Sequence, residues 1–315
     1  MSNFLYRRLG QLLAVVFLSS IAVWAIIYAV PGSPETTIAG PNASAEGLQA
    51  VRVRLGLDRP ITMQYLSWLQ HAVTGDLGQS LTSTMPVTSL LGQRLPATLQ
   101  LVLSTVMAGV AIALPVGVWA ALKPHGVLAK MANIFQVFLL ATPSFWLGIL
   151  LIWLFGLKLG WFSTESRYVS IFEDPGEALI NLALPTLTLG LFMAAVLLRF
   201  VRSSIGAALL EPHVITARSK GLSERRVIVN HALRNAALPI LTVTGLQLGA
   251  FIGGTVVTES IFNYPGMGRL AYTAVIARDY PVVQGTLLLV VVSFVVINLI
   301  VDLLYTVLDP RVRLS

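Results

Sequence analysis

Residues 282–308 read VVQGTLLLVVVSFVVINLIVDLLYTVL, an apolar run broken by a single charge, Asp302. A helix needs about 20 mostly apolar residues to cross the hydrocarbon core of a bilayer, and this run is longer than that. Working outward, five more stretches pass the same test: roughly Leu9–Val30, Thr98–Leu122, Ile134–Gly156, Leu182–Phe200 and Ala236–Val257. Pro185 sits inside the fourth, which membrane helices tolerate. The 315-residue chain is 56% hydrophobic and only 11% charged, with a mean hydropathy of +0.79. A soluble domain carries about 25% charged residues. The sequence therefore predicts an all-α integral membrane protein with about six transmembrane helices.

Six spans place both termini on one side, and the excess of Lys and Arg in short loops selects the cytoplasmic side. With the N-terminus inside, that side holds Arg7, Arg8, Lys123, Lys130, Arg199, Arg202, Arg218, Lys220, Arg225, Arg226, Arg234, Arg311 and Arg313. The short outer loops carry only Lys158, Arg167, Arg269 and Arg278, together with the acids Glu165, Glu173, Asp174, Glu177, Glu259 and Asp279. The net charge of +7 thus sorts by side of the membrane instead of forming a nucleic-acid patch. Leu9–Val30 is too long for the ~7–15-residue apolar region of a secretory signal, so it reads as a retained first span. Cysteine is absent, which excludes disulfides, thiolate metal sites and cysteine nucleophiles.

The expected layout is a cytoplasmic end with the first helix (1–30), an extracytoplasmic loop region (31–96), a five-helix core (97–308) and a cytoplasmic tail (309–315). The outer loop includes an amphipathic stretch near Ala45–Leu57 and a polar segment, Gly75-Asp76-Leu77-Gly78-Gln79-Ser80. Within the core, a basic loop at 201–235 is too polar to span. Long loops in a compact protein are usually functional. The loop is expected to form two short helical segments broken at Gly221, which permits a reversal that a side chain would obstruct. Ser223 is the expected N-cap of the second segment, with Arg226 in place of the Glu or Gln of a capping box. A short helix presenting small residues and basic ends outward suits insertion into a groove on a soluble partner. The same basic residues also suit anchoring to anionic headgroups, and the residues alone leave both readings open.

The sequence Thr216-Ala217-Arg218-Ser219-Lys220-Gly221-Leu222, followed by His231-Ala232-Leu233-Arg234-Asn235, resembles the loop motif of permeases in ATP-binding-cassette importers, in its dipeptide, oligopeptide and nickel permease form. The resemblance runs along almost the whole chain. It includes Arg7-Arg8-Leu9, Pro31-Gly32-Ser33-Pro34, Leu55-Gly56-Leu57-Asp58-Arg59-Pro60, Gln64-Tyr65, the Gly75–Ser80 segment and Arg94-Leu95-Pro96-Ala97-Thr98-Leu99. Later matches are Glu259–Gly268, Arg278-Asp279-Tyr280-Pro281, Asn298, Asp302, Tyr305 and Asp309-Pro310-Arg311. Two departures stand out: Pro212-His213 replaces an acidic-aromatic pair, and Gly160-Trp161-Phe162-Ser163-Thr164 lacks a Pro-Gly turn.

The resemblance implies a type I importer permease fold in a bacterial or archaeal cytoplasmic membrane. It implies a second permease chain, two ATPase subunits that bind ATP and Mg below, and a solute-binding protein above that delivers peptides, or nickel chelates or glutathione-like solutes. No Gly-x-x-x-x-Gly-Lys-Ser/Thr phosphate loop occurs, so energy must come from a partner, and the chain is expected not to be an enzyme. Thr216, Ala217, Arg218, Lys220, Gly221, Leu222, Ser223, His231 and Arg234 are the expected ATPase-coupling residues. An outer gate or binding-protein contact is expected at Gly75, Asp76, Gly78, Ser80, Asn263, Tyr264, Pro265, Gly266 and Gly268; the bland alternative for the last five is a simple return turn. Gly245, Gly249 and Gly253 repeat at four-residue spacing, a pattern that lets helices approach closely. Asn298 and Asp302 lie one turn apart and share a face.

An ion-coupled secondary transporter would carry charges deep in its spans, and these spans hold almost none. A membrane enzyme would need a catalytic constellation, yet His71, His125, His213 and His231 all fall in predicted loops without metal-ligand spacing. No metal site is expected.

Overall fold

The computed structural model describes residues 2–29, 35, 43–54 and 56–308. The Pro31–Pro34 and Asp309–Arg311 motifs, Leu55 and the 309–315 tail lie outside the described residues. The chain divides into two compact units: Met1–Thr98 with Pro265–Val295, and Leu99–Tyr264 with Val296–Ser315.

Among the described residues, Val87–Leu122, Pro175–Ala208, Glu224–Gly254 and Tyr280–Leu303 are single helices long and apolar enough to cross a membrane. The third expected span is corrected. Instead of one rod over Ile134–Gly156, helices Val127–Ala141 and Ser144–Lys158 meet at 104°. The local cause is Pro143, whose ring pushes the preceding residue out of the α region; Thr142 takes φ −88° and ψ 128°. The first span lies in a helix over Ser2–Ala29, whose apolar stretch runs Gly10–Ile26. Among the described residues, four single spans, one bent pair and the Ser2–Ala29 helix thus stand in the places of the six expected spans.

In the first unit the outer-loop sequence is largely helical, at Ala45–Arg54 and Ile61–Val73. The second of these holds the first long helix through a short aromatic ladder. Tyr65 lies edge-on to Trp24 at 5.6 Å and stacked with Trp68 at 6.2 Å, and its hydroxyl is 2.8 Å from Ser20 Oγ. The helix from Val87 starts eleven residues before the expected Thr98, because Val87 and Leu91 are core residues with Met267, Ala274, Val282 and Val283.

Pro175–Ala208 is the centre of the second unit. Asp174 caps it by accepting from the Glu177 N–H at 2.9 Å, and Pro175 occupies the first turn, where no amide donor is needed. Small residues bring the helix from Val87 close against it: a Cβ at Gly117 would meet Val201 Cγ1 at 2.7 Å, and one at Gly190 would meet Ala108 Cβ at 3.1 Å.

The Gly245, Gly249, Gly253 stripe is only partly a packing face. Gly245 and Gly249 are buried, and Gly253 is exposed. A Cβ at Gly245 would lie 2.5 Å from Val301 Cγ2, so this glycine packs inside the chain against its last helix. Gly245→Ala is expected to cost about 1–3 kcal/mol by overpacking. Val301→Ala in the same chain should recover most of that loss, as a thermal unfolding double-mutant cycle in detergent would measure.

Candidate functional site

The polar 201–235 segment folds within the second unit. Its first eight residues continue the preceding helix, which ends at Ala208. A separate helix then runs Pro212–Ser219, and its end is made by backbone geometry. Gly221 has φ +76°; its N–H donates to Arg218 O at 2.9 Å, and Leu222 N–H donates to Ala217 O at 3.3 Å. These paired bonds form a Schellman ending, which asks for a left-handed residue at this position. Leu222 supplies the accompanying apolar contact, against Val214, Ala217 and Val227. The break at Gly221 is as expected, but its reason differs. No atom lies within 4 Å of a Cβ built there, so the turn selects glycine through its dihedral angle and not through lack of space.

Three further expectations change. Ser223 does occupy the N-cap position, yet its side chain makes no capping hydrogen bond. Arg218 instead closes the turn, its Nε and Nη2 donating to the two carboxylate oxygens of Glu224 at 2.8 and 3.2 Å. Ala217 is buried, so the small residues do not all point outward; Thr216, Lys220, Gly221 and Arg234 are exposed and Leu222 and His231 half-buried. The second helix is not separate either. From Glu224 it passes through a π turn at Ile228–Ala232 straight into Leu233–Gly254.

The histidines are also corrected. His71, His213 and His231 lie in helical segments. His213 Nε2 is 3.0 Å from Asn235 Nδ2, and its ring centroid is 6.4 Å from that of His231. The unusual Pro212-His213 pair thus starts the short helix and ties it to the next one. Among the described residues no group of three or more His, Cys, Asp or Glu could hold a metal ion.

In the first unit, the Gly75–Ser80 segment meets the Arg278–Pro281 segment. Gly75, at φ +85°, ends the Ile61–Val73 helix, and Asp76 Oδ1 accepts from Gly78 N–H at 2.9 Å. Ser80 Oγ donates to Asp279 Oδ2 at 2.5 Å, and Thr82 Oγ1 donates to the same oxygen at 2.9 Å. The amides of Leu81 and Thr82 donate to this carboxylate at 3.1 and 3.3 Å. Asp279 is buried, as is Ser80, while Gly75, Asp76 and Gly78 are exposed. Arg278 precedes it at φ +55°, a left-handed conformation rare for a side chain of this size. A second meeting joins Thr98 Oγ1, which accepts from Met267 N–H at 2.8 Å, and Arg94, whose Nη1 reaches Pro265 O at 3.5 Å. Gly266 and Gly268 are buried and Pro265 half-buried.

In the second unit, Asn263 takes φ +55° and is exposed, whereas Tyr264 is buried. Burial, with Tyr168 and Glu259 adding, pushes the Tyr264 phenol above its ordinary range. Glu259 is fully buried and accepts from Thr255 Oγ1 at 2.9 Å. Glu259 and Asp279, expected among the acids of the short outer loops, are both buried. In the sequence Asp279 stands out only as an outer-loop acid and as part of a motif; its one local signal is a short polar residue placed just before the last helix.

Long apolar helices that carry a polar helix-turn-helix insertion define a helical membrane protein, and similarity to known proteins identifies it as a permease subunit of an ATP-binding-cassette importer. The chain belongs to the family described as binding-protein-dependent transport system inner membrane component, which matches residues 113–314; the family's N-terminal component matches residues 1–102. It is similar to the glutathione transport system permease protein GsiC of Escherichia coli (strain K12), at 38% identity over 313 residues, covering 99% of each chain. The protein of the same name from Shigella flexneri serotype 5b is also 38% identical, again over 99% of both chains. In fold it is similar to a chain of the inward-facing MetNI methionine transporter, with a TM-score of 0.56 at 19% identity, covering 70% of this chain and 96% of that one. The chain is accordingly a multi-pass inner-membrane permease subunit without its own ATPase site.

Proposed function

We propose that this permease imports small peptides of the size of glutathione, a tripeptide, or of dipeptides and short oligopeptides. The carrying observation is the 38% identity to a glutathione permease that extends over 99% of both chains. The working complex comprises this chain, a second homologous permease, two cytoplasmic ATPases that bind ATP and Mg, and an external solute-binding protein. Both termini lie in the cytoplasm, a reading supported by the basic residues that flank the spans on that side. The layout is then 1–30, 31–96, 97–308 and 309–315, with the 201–235 segment facing the ATPases.

In this reading the Pro212–Ser219 helix is the mechanical link. Its Schellman turn and the Arg218–Glu224 pair make helix and turn one stiff body. The π turn carries motion of that body into the Leu233–Gly254 helix without an intervening loop. Lys220, Arg225, Arg226 and Arg234 are exposed and offer charge to an acidic groove. On the other side, the loop held by Asp279 and the turn at Asn263–Gly268 form the outer gate or binding-protein contact. Cells expressing the whole transporter should take up labelled glutathione or labelled dipeptide in competition with each other. Uptake of a nickel chelate alone, with neither peptide competing, would sink the peptide reading.

A further inference from the structure

In the second unit, helices Val127–Ala141 and Pro175–Ala208 flank an open pocket of about 500 Å³ lined by Asn133, Ile134, Gln136, Val137, Arg199, Arg202 and Ser203. The two arginines are three residues apart and share a helix face. Arg202 is held in place, its Nη1 donating to Asn133 Oδ1 at 2.6 Å. The Arg199 guanidinium lies 5.1 Å from the centroid of the Phe200 ring. Ion pairs join Arg52 to Glu35, Arg167 to Glu177 and Arg218 to Glu224, none of them in this pocket. Neither pocket arginine therefore has a carboxylate partner there, and no acid lines the pocket.

A second cavity of about 150 Å³ continues along the same helices, between Ala132, Phe135, Leu139, Ala195 and Leu198. Gln136 lines both cavities, so they adjoin. Ala195 precedes Arg202 by seven residues, about 10 Å of helix rise, which sets the apolar slot deeper in the span than the arginines. Ile134 and Val137, which line the first pocket, are exposed.

Two uncompensated cations over an apolar slot, at the end of the apolar run Leu182–Leu198, match an amphiphilic anion. We propose that this is a binding site for one acidic phospholipid, its phosphodiester on Arg199 and Arg202 and an acyl chain in the slot. Basic pockets between spans are a recurrent form of lipid-headgroup recognition. Zwitterionic lipid fits less well, because no carboxylate lines the pocket to balance its ammonium group. The proposal is independent of the cargo.

The full chain, purified with the subunits it assembles with, would be stripped of lipid and offered phosphatidylglycerol or phosphatidylcholine, with bound lipid counted by native mass spectrometry. Wild type should retain one phosphatidylglycerol and no phosphatidylcholine. Arg199→Gln/Arg202→Gln should weaken retention about 25-fold, at about fivefold per arginine. Ala132→Leu narrows the slot without touching charge, and should weaken phosphatidylglycerol retention while leaving the binding of inorganic phosphate unchanged. Equal retention of the two lipids, or undiminished retention in the double arginine variant, overturns the proposal. Displacement of the lipid by equimolar inorganic phosphate overturns it in favour of a plain phosphate site. Loss of an ATPase subunit from the arginine variant at unchanged lipid count overturns it in favour of a protein contact. Should the arginine variant fail to assemble, Ala132→Leu decides, and unchanged lipid retention there overturns the proposal.

Discussion

Asp279→Ala is expected to destabilise the permease by about 3 kcal/mol, the largest stability effect of any single polar replacement considered. The carboxylate accepts from two hydroxyls and two amides. Hydrogen bonds to a charged group contribute about 1.5–3 kcal/mol each and are not additive within one cluster. Removing the acceptor also strands the hydroxyl of buried Ser80, which costs its desolvation. Asp279→Asn is expected to recover little, since its own amide hydrogens would face donors. Asp76→Ala is the control: Asp76 is exposed and accepts one backbone N–H, so its loss should cost about 1 kcal/mol or less. Denaturant unfolding of the purified protein, followed by tryptophan emission, would measure all three. Equal stability of Asp279→Ala and Asp76→Ala would refute a bracing role for the carboxylate.

Gly221→Val is expected to abolish most uptake while the protein still reaches the membrane and its partners still hydrolyse ATP. A β-branched residue at φ +76° costs about 1–2 kcal/mol in left-handed conformation, which shifts the population of the native turn about 5–30-fold. Gly221→Asn should keep substantial uptake, because asparagine enters this region more readily and the surroundings are open. The contrast separates dihedral strain from bulk. Paired measurements of uptake and ATP hydrolysis in proteoliposomes would read it, and normal uptake in Gly221→Val would end the coupling role of this turn.

The importance of Gly221 was legible in sequence, but for an incomplete reason. A glycine between two helical patterns marks a turn whether it is chosen for space or for φ, and only the backbone shows which. The corner at Thr142-Pro143 had a local signal, since a proline disfavours helix at the residue before it. That signal was masked by the unbroken apolar run from Ile134 to Gly156. Apolar composition reports residence in lipid, and it is silent on whether a helix stays straight. The glycines at 245, 249 and 253 carried a genuine packing pattern, yet which of them meets a neighbour depends on how Val301 is placed.

The sequence by itself determined the membrane class, the positions of the main apolar helices, the polar insertion with its break at Gly221, and the absence of a nucleotide loop. Each of these rests on composition or on backbone preferences within a few residues, so no distant contact is needed to read it. The tertiary structure alone decided that Asp279 receives Ser80 from 199 residues away. It alone decided that Glu259, Tyr264 and Ala217 face inward, and that Arg199 and Arg202 share a pocket with Asn133. A buried carboxylate or an uncompensated arginine gets its energy from whichever remote donors, acceptors and apolar walls surround it. That environment comes into being only when the helices pack.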